Sequence, residues 1–173
     1  MHRTIPMDRR LILLGLAAGA VTPALAQAPS PMGQPEMEHA KNTAMVGAVA
    51  LQTSEIALEK ARNAKVKEFA KFEQDEQTTI AEILKSMDPS MAKPMPDPKM
   101  ADMIGKMKAM QAGPAFDKAY VVAQIDGHQM LLKIQEDYIK VGKNVAHVAV
   151  AKLARGMVKE HLVLLEDLRK ATA

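Results

Sequence analysis

Two histidines and three other polar residues fall on helical positions that are expected to face inward. Each lies three or four residues from apolar neighbours, which places it on a buried stripe. The set comprises Glu55, Glu73, Gln77, His128 and His161. Imidazole and carboxylate groups ligate zinc, iron or copper, so these residues are candidates for a mononuclear metal site. The sequence favours the other interpretation, in which the same groups form a hydrogen-bonded polar layer, since buried polar groups require partners and Gln77 is a poor metal ligand.

A carboxylate-bridged di-metal site is not predicted. Helical bundles of that class use a Glu-x-x-His motif on each of two helices. The chain has this motif only at Glu36 and His39, where a linker is expected to meet the first helix. The residue three positions before His128 is Ile125, and the residue three positions before His161 is Val158. We therefore do not expect a di-iron oxidase.

A second candidate site lies in the methionine-rich segment 86–110, which holds half of the chain's 14 methionines. Thioethers bind soft Cu(I), and a protein without cysteine could use them for that purpose. The candidate ligands are Met91, Met95, Met100, Met103, Met107 and Met110. The alternative is that the last four form the apolar stripe of a short amphipathic helix, with methionine as an adaptable packing residue.

Other kinds of chemistry find little support. The chain has no cysteine, which excludes disulfides, thiol catalysis and thiolate metal sites. No serine lies in a strand–turn–helix elbow, and no glycine-rich phosphate loop is present. We therefore expect a non-enzymatic protein, with no cofactor other than zinc, iron or copper at the candidate sites.

The N-terminus has the pattern of a signal peptide. Arginines at positions 3, 9 and 10 precede the apolar run 11–21, and Ala24-Leu25-Ala26 forms a small-x-small cleavage site. The arginine pair leaves open whether export follows the general or the twin-arginine route. We predict a signal peptide at 1–26, cleavage after Ala26 and a periplasmic or other extracytoplasmic location.

Cleavage changes the charge and so the expected partners. Removing three arginines and one aspartate lowers the formal charge from +3 to about +1. No basic stripe interleaved with aromatics remains, so we expect no nucleic-acid partner. The apolar run is too short for a permanent membrane span, and the mature chain is expected to have none.

Helical periodicity dominates the rest of the chain. After a Pro-rich linker at 27–37, the pattern predicts long helices at 38–62, 65–87, 115–141 and 145–170. Prolines at 89, 94, 96 and 98 interrupt the pattern, and a short helix at 99–111 follows. His147 lies near the start of the last helix and is expected to be exposed.

These elements predict one all-α domain at 38–173. Four helices of this length bury their stripes most simply as a four-helix bundle of the ferritin-like kind. Short turns near Asn63 and Gly142 make two helical hairpins, joined by the Pro/Met-rich connection. That connection is long enough for a crossover along the bundle, and an up-down return is equally open.

Two stretches resemble the exported family catalogued as domain of unknown function 4142. The first comprises residues 54–61 (SEIALEKA) and 66–70 (VKEFA). The second comprises residues 116–121 (FDKAYV) with Gln124, Ile125 and His128, followed by His161 and Leu162. The resemblance runs from about residue 39 to 170. It implies a ferritin-like bundle in the periplasm or at the outer membrane, with an envelope or stress-related role and no known reaction.

The chain departs from the family's pattern at two places. Members usually carry an Asp-His pair in the second helix, where this chain reads Asp75-Glu76-Gln77. Members also tend to have a glutamate near Ala50 and Gln52. Gln77 therefore stands in the place of a histidine, which weakens the case for a metal site in the first half of the chain.

Overall fold

A computed structural model describes residues 32–172 as five α-helices without a strand. They are α1 Gln34–Lys60, α2 Ala64–Met87, α3 Pro98–Ala109, α4 Pro114–Val141 and α5 Val145–Ala171. The predicted signal peptide at 1–26 and the first part of the predicted linker lie outside the described residues. None of the described helices is long and apolar enough to cross a membrane.

The predicted all-helical bundle is confirmed, and its topology is a crossover. Short turns make α1–α2 and α4–α5 antiparallel hairpins. The start of α1 lies beside the end of α4, because His39 contacts Gln135, whereas Ser54 near the end of α1 contacts Tyr120 near the start of α4. Helices α1 and α4 are therefore antiparallel, and α2 and α4 are parallel. The connection 88–113 must cross the bundle lengthwise, and its helix α3 packs on α1 and α4.

Helix α1 begins at Gln34, earlier than the predicted boundary at 38, so the last residues of the predicted linker are helical. Pro35 is compatible with this start, since proline is tolerated in the first turn of a helix. The side chain of Glu36 accepts a hydrogen bond from the N–H of Gly33, which caps the helix. The prolines at 89, 94 and 96 lie outside helices, and Pro98 opens α3.

Each hairpin caps the turn of the other. The Asp117 carboxylate at the start of α4 accepts from the N–H of Asn63 at 2.8 Å, in the α1–α2 turn. The Glu36 carboxylate at the start of α1 accepts from the N–H groups of Lys143 at 3.0 Å and Asn144 at 3.3 Å, in the α4–α5 turn. In both hairpins the carboxylate precedes the turn asparagine by 27 positions. We call these contacts the crossed clamps. They lock the two hairpins together at opposite ends of the bundle.

The largest apolar cluster joins α1, α2, α3 and α4, with Leu165 from α5. Helices α2 and α5 instead approach each other mainly through side chains. Phe69 of α2 stacks edge-on against His161 of α5, with ring centroids 5.2 Å apart. Phe69 also lies 6.0 Å from the ring of His128 on α4. An aromatic residue at the meeting point of three helices thus covers both histidines.

Candidate metal centre

Three of the predicted site residues converge from three different helices: Glu73 from α2, His128 from α4 and His161 from α5. Nε2 of His128 lies 3.1 Å from Nδ1 of His161. Oε2 of Glu73 lies 3.3 Å from Nε2 of His128 and 3.1 Å from Nδ1 of His161. The side chains of Glu73 and His128 are fully buried, and that of His161 is 12% exposed. The three ligand atoms form a compact triangle away from bulk water.

The remaining nitrogen of each ring faces an acceptor outside the triangle. Nδ1 of His128 lies 2.8 Å from the carbonyl oxygen of Gln124, to which it must donate. Nε2 of His161 lies 3.4 Å from Oε2 of Glu76. An N–H on each of these outer nitrogens leaves the lone pairs of both rings directed at the triangle. Two lone pairs and a carboxylate oxygen therefore meet at one point.

With these two tautomers, a cation at the centre, either a proton or a metal ion, stabilises the electron-rich atoms. Gln77 donates from Nε2 to Oε1 of Glu73 at 3.0 Å, but Oε2 is buried without a hydrogen bond of good geometry. Burial lowers the pKa of His161, but the adjacent carboxylates of Glu73 and Glu76 outweigh it, so the pKa is raised. Burial opposes ionisation of Glu73 as well, yet the two imidazoles hold its pKa at about 2. The site favours positive charge at its centre.

The structure places the other predicted residues of this set differently. Gln77 is buried beside the triangle, where it orients the Glu73 carboxylate and does not itself face the two histidines. Glu55 is exposed on α1 and lies outside the cluster. Its neighbours Thr53, Ser54 and Ala57 take the buried face of α1. Glu55 is therefore removed from the predicted layer.

Gly47 of α1 makes room for Gln77, because a β-carbon at position 47 would overlap Oε1 of that side chain. We expect Gly47→Ala to reduce the free energy of unfolding by about 1–3 kcal/mol, since a displaced Gln77 leaves buried Glu73 without its partner. Urea unfolding measures this. Gly127→Ala is the matched control, since a β-carbon there meets nothing within 4 Å, and it should be neutral or stabilising. Equal behaviour of the two variants would contradict the packing of Gln77 on Gly47.

The candidate soft-metal methionines do not gather at one place. Met100, Met103 and Met110 pack against the largest apolar cluster, and Met107 belongs to it. Met91 packs against a separate cluster, and Met95 is 79% exposed. This arrangement favours packing as the role of most of them.

The sequence analysis missed a second polar cluster, which lies near the start of α1. Nδ1 of His39 lies 2.8 Å from Nε2 of His147, and Nε2 of His39 lies 2.6 Å from Oε1 of Gln135. Tyr138 donates to Glu36 at 3.1 Å and stacks on His39 at 4.2 Å between ring centroids. The expectation that His147 is exposed was wrong, since this side chain is fully buried. The first turn of α5 lies directly against α1.

Hydrogen bonds use most of the polar atoms of this second cluster. The amide group of Gln135 donates to Thr43 at 3.0 Å, which leaves its Oε1 to accept from His39 Nε2–H. His39 then accepts at Nδ1 from His147, whose own Nδ1 is buried without a partner. Burial lowers the pKa of His39 to about 4 and lowers that of His147 as well. Thr43, Gln135, His39 and His147 therefore form a chain of neutral groups, unlike the triangle around Glu73. The Glu36–His39 spacing was its one signal in the sequence.

Comparison with known proteins gives one positive finding. The family model described as Domain of unknown function (DUF4142) matches residues 21–168. Neither the curated proteins nor the solved structures include a match to this chain. The family match spans all five helices nearly to their end and includes Glu73, His128 and His161. The chain therefore belongs to the DUF4142 family.

Proposed function

We propose that this protein is exported to the periplasm and there binds one divalent transition-metal ion through Glu73, His128 and His161. The observation that carries the proposal is the triangle of ligand atoms, 3.1–3.3 Å on a side. A tetrahedral ion with bonds of about 2.0–2.1 Å separates its ligands by about 3.3–3.4 Å. The side chains need little movement to reach that geometry.

The surroundings of the ligands support the same proposal. Metal-binding histidines generally donate their second N–H to a carbonyl or carboxylate, which fixes the ring and its tautomer. His128 has the Gln124 carbonyl in that role, and His161 has Glu76. Gln77 holds the Glu73 carboxylate by its other oxygen. Each of the three ligands thus has an outer partner.

Two imidazoles and one carboxylate suit zinc, iron(II) or cobalt better than magnesium or calcium, which prefer oxygen ligands. Glu73 and His128 are fully buried, which favours retention of an ion over turnover of a substrate. We therefore place the protein among metal-binding proteins without a reaction of their own. The signal-peptide pattern at 1–26 supports export, and mature protein isolated from the periplasm should begin at Gln27 by N-terminal sequencing.

Titration with Co²⁺, followed by its visible spectrum, tests the site. We expect one equivalent to bind with a spectrum that indicates nitrogen and oxygen ligands, and Zn²⁺ to displace it. Glu73→Gln should weaken the affinity at least tenfold, because a neutral amide is a far poorer ligand than a carboxylate. Binding should also weaken as the pH falls, since histidine must lose its proton to ligate.

Glu55→Gln is the matched control, because Glu55 has the same side chain on the outside of α1. It should bind Co²⁺ like the parent. Coincident titration curves for the parent, Glu73→Gln and Glu55→Gln would overturn the proposal. The triangle would then be a polar layer held together by a shared proton.

A further inference from the structure

A small cavity lies beneath α3, between α1 and α4. It measures about 100 Å³, and small residues on the two long helices create the space for it, among them Ala50 and Gly127. Three methionines line it, Met100 and Met103 from α3 and Met130 from α4. Met130 lies outside the methionine-rich segment, so the sequence pattern alone does not group it with the other two. The fold brings the three methionines to the wall of one cavity.

Gln124 lines the same cavity and is almost completely buried. Its amide nitrogen lies 3.3 Å from the carbonyl oxygen of Ala50 and 3.0 Å from the hydroxyl of Thr53. A carbonyl oxygen can only accept, so the nitrogen must be the atom at that position. Oε1 of Gln124 is left buried without a hydrogen-bond partner. An unpaired buried acceptor is unfavourable unless a donor or a cation satisfies it.

The lining of the cavity offers electron-pair donors and no cationic group among the described residues. Apart from apolar residues and Thr53, the lining consists of three methionines, Gln124 and Asp126, whose side chains offer thioether, amide and carboxylate electron pairs. None of the described residues that line the cavity is basic. Thioethers select soft ions such as Cu(I), and methionine has three rotatable bonds with which to move its sulfur toward one.

We propose that Met100, Met103 and Met130, together with Oε1 of Gln124, form a second metal site, which binds a soft monovalent cation of the Cu⁺ class. The site shares no ligand side chain with the triangle around Glu73. It differs from that triangle in the hardness of its donors, so the two sites select different ions. Binding also ties α3 to α4 across the cavity.

Silver ion, a redox-inert probe with the same preference for thioethers, tests this site in the full chain labelled at the methionine methyl groups. We expect about one equivalent of Ag⁺ to shift three methyl resonances, assigned by substitution to Met100, Met103 and Met130. Replacing these three with leucine should weaken Ag⁺ binding at least tenfold with little loss of stability, because leucine and methionine have similar volumes. The single variant Met130→Leu, at a position 42% exposed, provides the same test should the triple variant fold poorly.

The matched control replaces Met91, Met95 and Met110 with leucine and should bind Ag⁺ like the parent. The Glu73→Gln variant should also retain Ag⁺ binding, which separates this site from the proposed Co²⁺ site. Absence of Ag⁺ binding would overturn the proposal. Shifts confined to other methionine methyls, or equal loss in the two triple variants, would overturn it as well.

Discussion

Replacing Glu36 with alanine should lower the free energy of unfolding by about 2–4 kcal/mol. The Glu36 carboxylate accepts four hydrogen bonds: Oε1 accepts from Lys143 N–H, Asn144 N–H and the Tyr138 hydroxyl, and Oε2 accepts from Gly33 N–H. Alanine would leave these donors without their acceptor at the end of the bundle. The pKa of Glu36 is lowered to about 2, chiefly by the hydrogen bond from Lys143 N–H, so the carboxylate is ionised at neutral pH.

Urea unfolding at neutral pH measures the effect, with Glu38→Ala as the matched control. Glu38 lies two positions along the same helix and is exposed, so its removal should change the stability by no more than about 0.5 kcal/mol. Glu36→Gln retains one acceptor oxygen and should fall between the two. The clamp has no role in stability if all three variants unfold at the parent's urea concentration.

Acidification should destabilise the protein between about pH 6.5 and pH 4 through His39 and His147. Burial lowers the pKa of His39 to about 4, although Gln135 and Glu36 act to raise it. Burial lowers the pKa of His147 as well. A histidine whose folded pKa is depressed contributes stability above its unfolded pKa, which is lost as the pH falls toward the folded value. The loss for His39 should reach about 2–3 kcal/mol at pH 4.

His161 should act in the opposite direction, because its pKa is raised in the folded state by Glu73 and Glu76 despite burial. Its contribution is present below the unfolded pKa and is lost as the pH rises through the folded value. The loss of unfolding free energy on acidification should therefore be smaller in His39→Gln than in the parent, and larger in His161→Gln. Urea unfolding of the parent and both variants at pH 7.0 and pH 4.5 measures the change in unfolding free energy between the two pH values. If both variants changed the acid loss in the same direction, the opposite pKa shifts assigned to His39 and His161 would be contradicted.

Much of the fold was predictable because long helices with regular stripes carry a strong local signal. The breaks at Asn63, at the prolines after Met87 and at Gly142 were all placed correctly. The direction of the connection was not predictable, since the same length of chain serves an up-down return or a crossover. Contacts such as Ser54 with Tyr120, which decide it, depend on how the two hairpins dock.

The candidate site was predictable to the extent that helical spacing decides which face a residue occupies. Glu73, Gln77 and His128 are buried and His161 is nearly so, as the stripes predict. Glu55 fits the same spacing, but α1 is turned so that Ser54 and Ala57 are buried instead. Successive residues of a helix differ by about 100° around its axis, so a rotation of α1 decides whether Glu55 or Ser54 is buried. Only the packing of the neighbouring helices fixes that rotation.

The second polar cluster was missed for a different reason. The predicted linker includes Pro35, although proline is also common in the first turn of a helix. His147 is predicted to be exposed because it is near a helix start. Its burial depends on His39 of the other hairpin, 2.8 Å away, and the helical spacing within α5 does not reveal that contact. The linker boundary at 37 therefore conceals Glu36, whereas the partners of His39 depend on how the two hairpins dock.

The crossed clamps have a consequence for how the chain folds. The turn of either hairpin is incomplete by itself, because the carboxylate that caps it belongs to the other hairpin, 54 residues away for Asn63 and 108 residues away for Asn144. Docking of the hairpins therefore closes both turns together, and detachment of one hairpin uncaps both. Half-folded species lose contacts at each end of the molecule at once, so we expect unfolding to be a single cooperative transition.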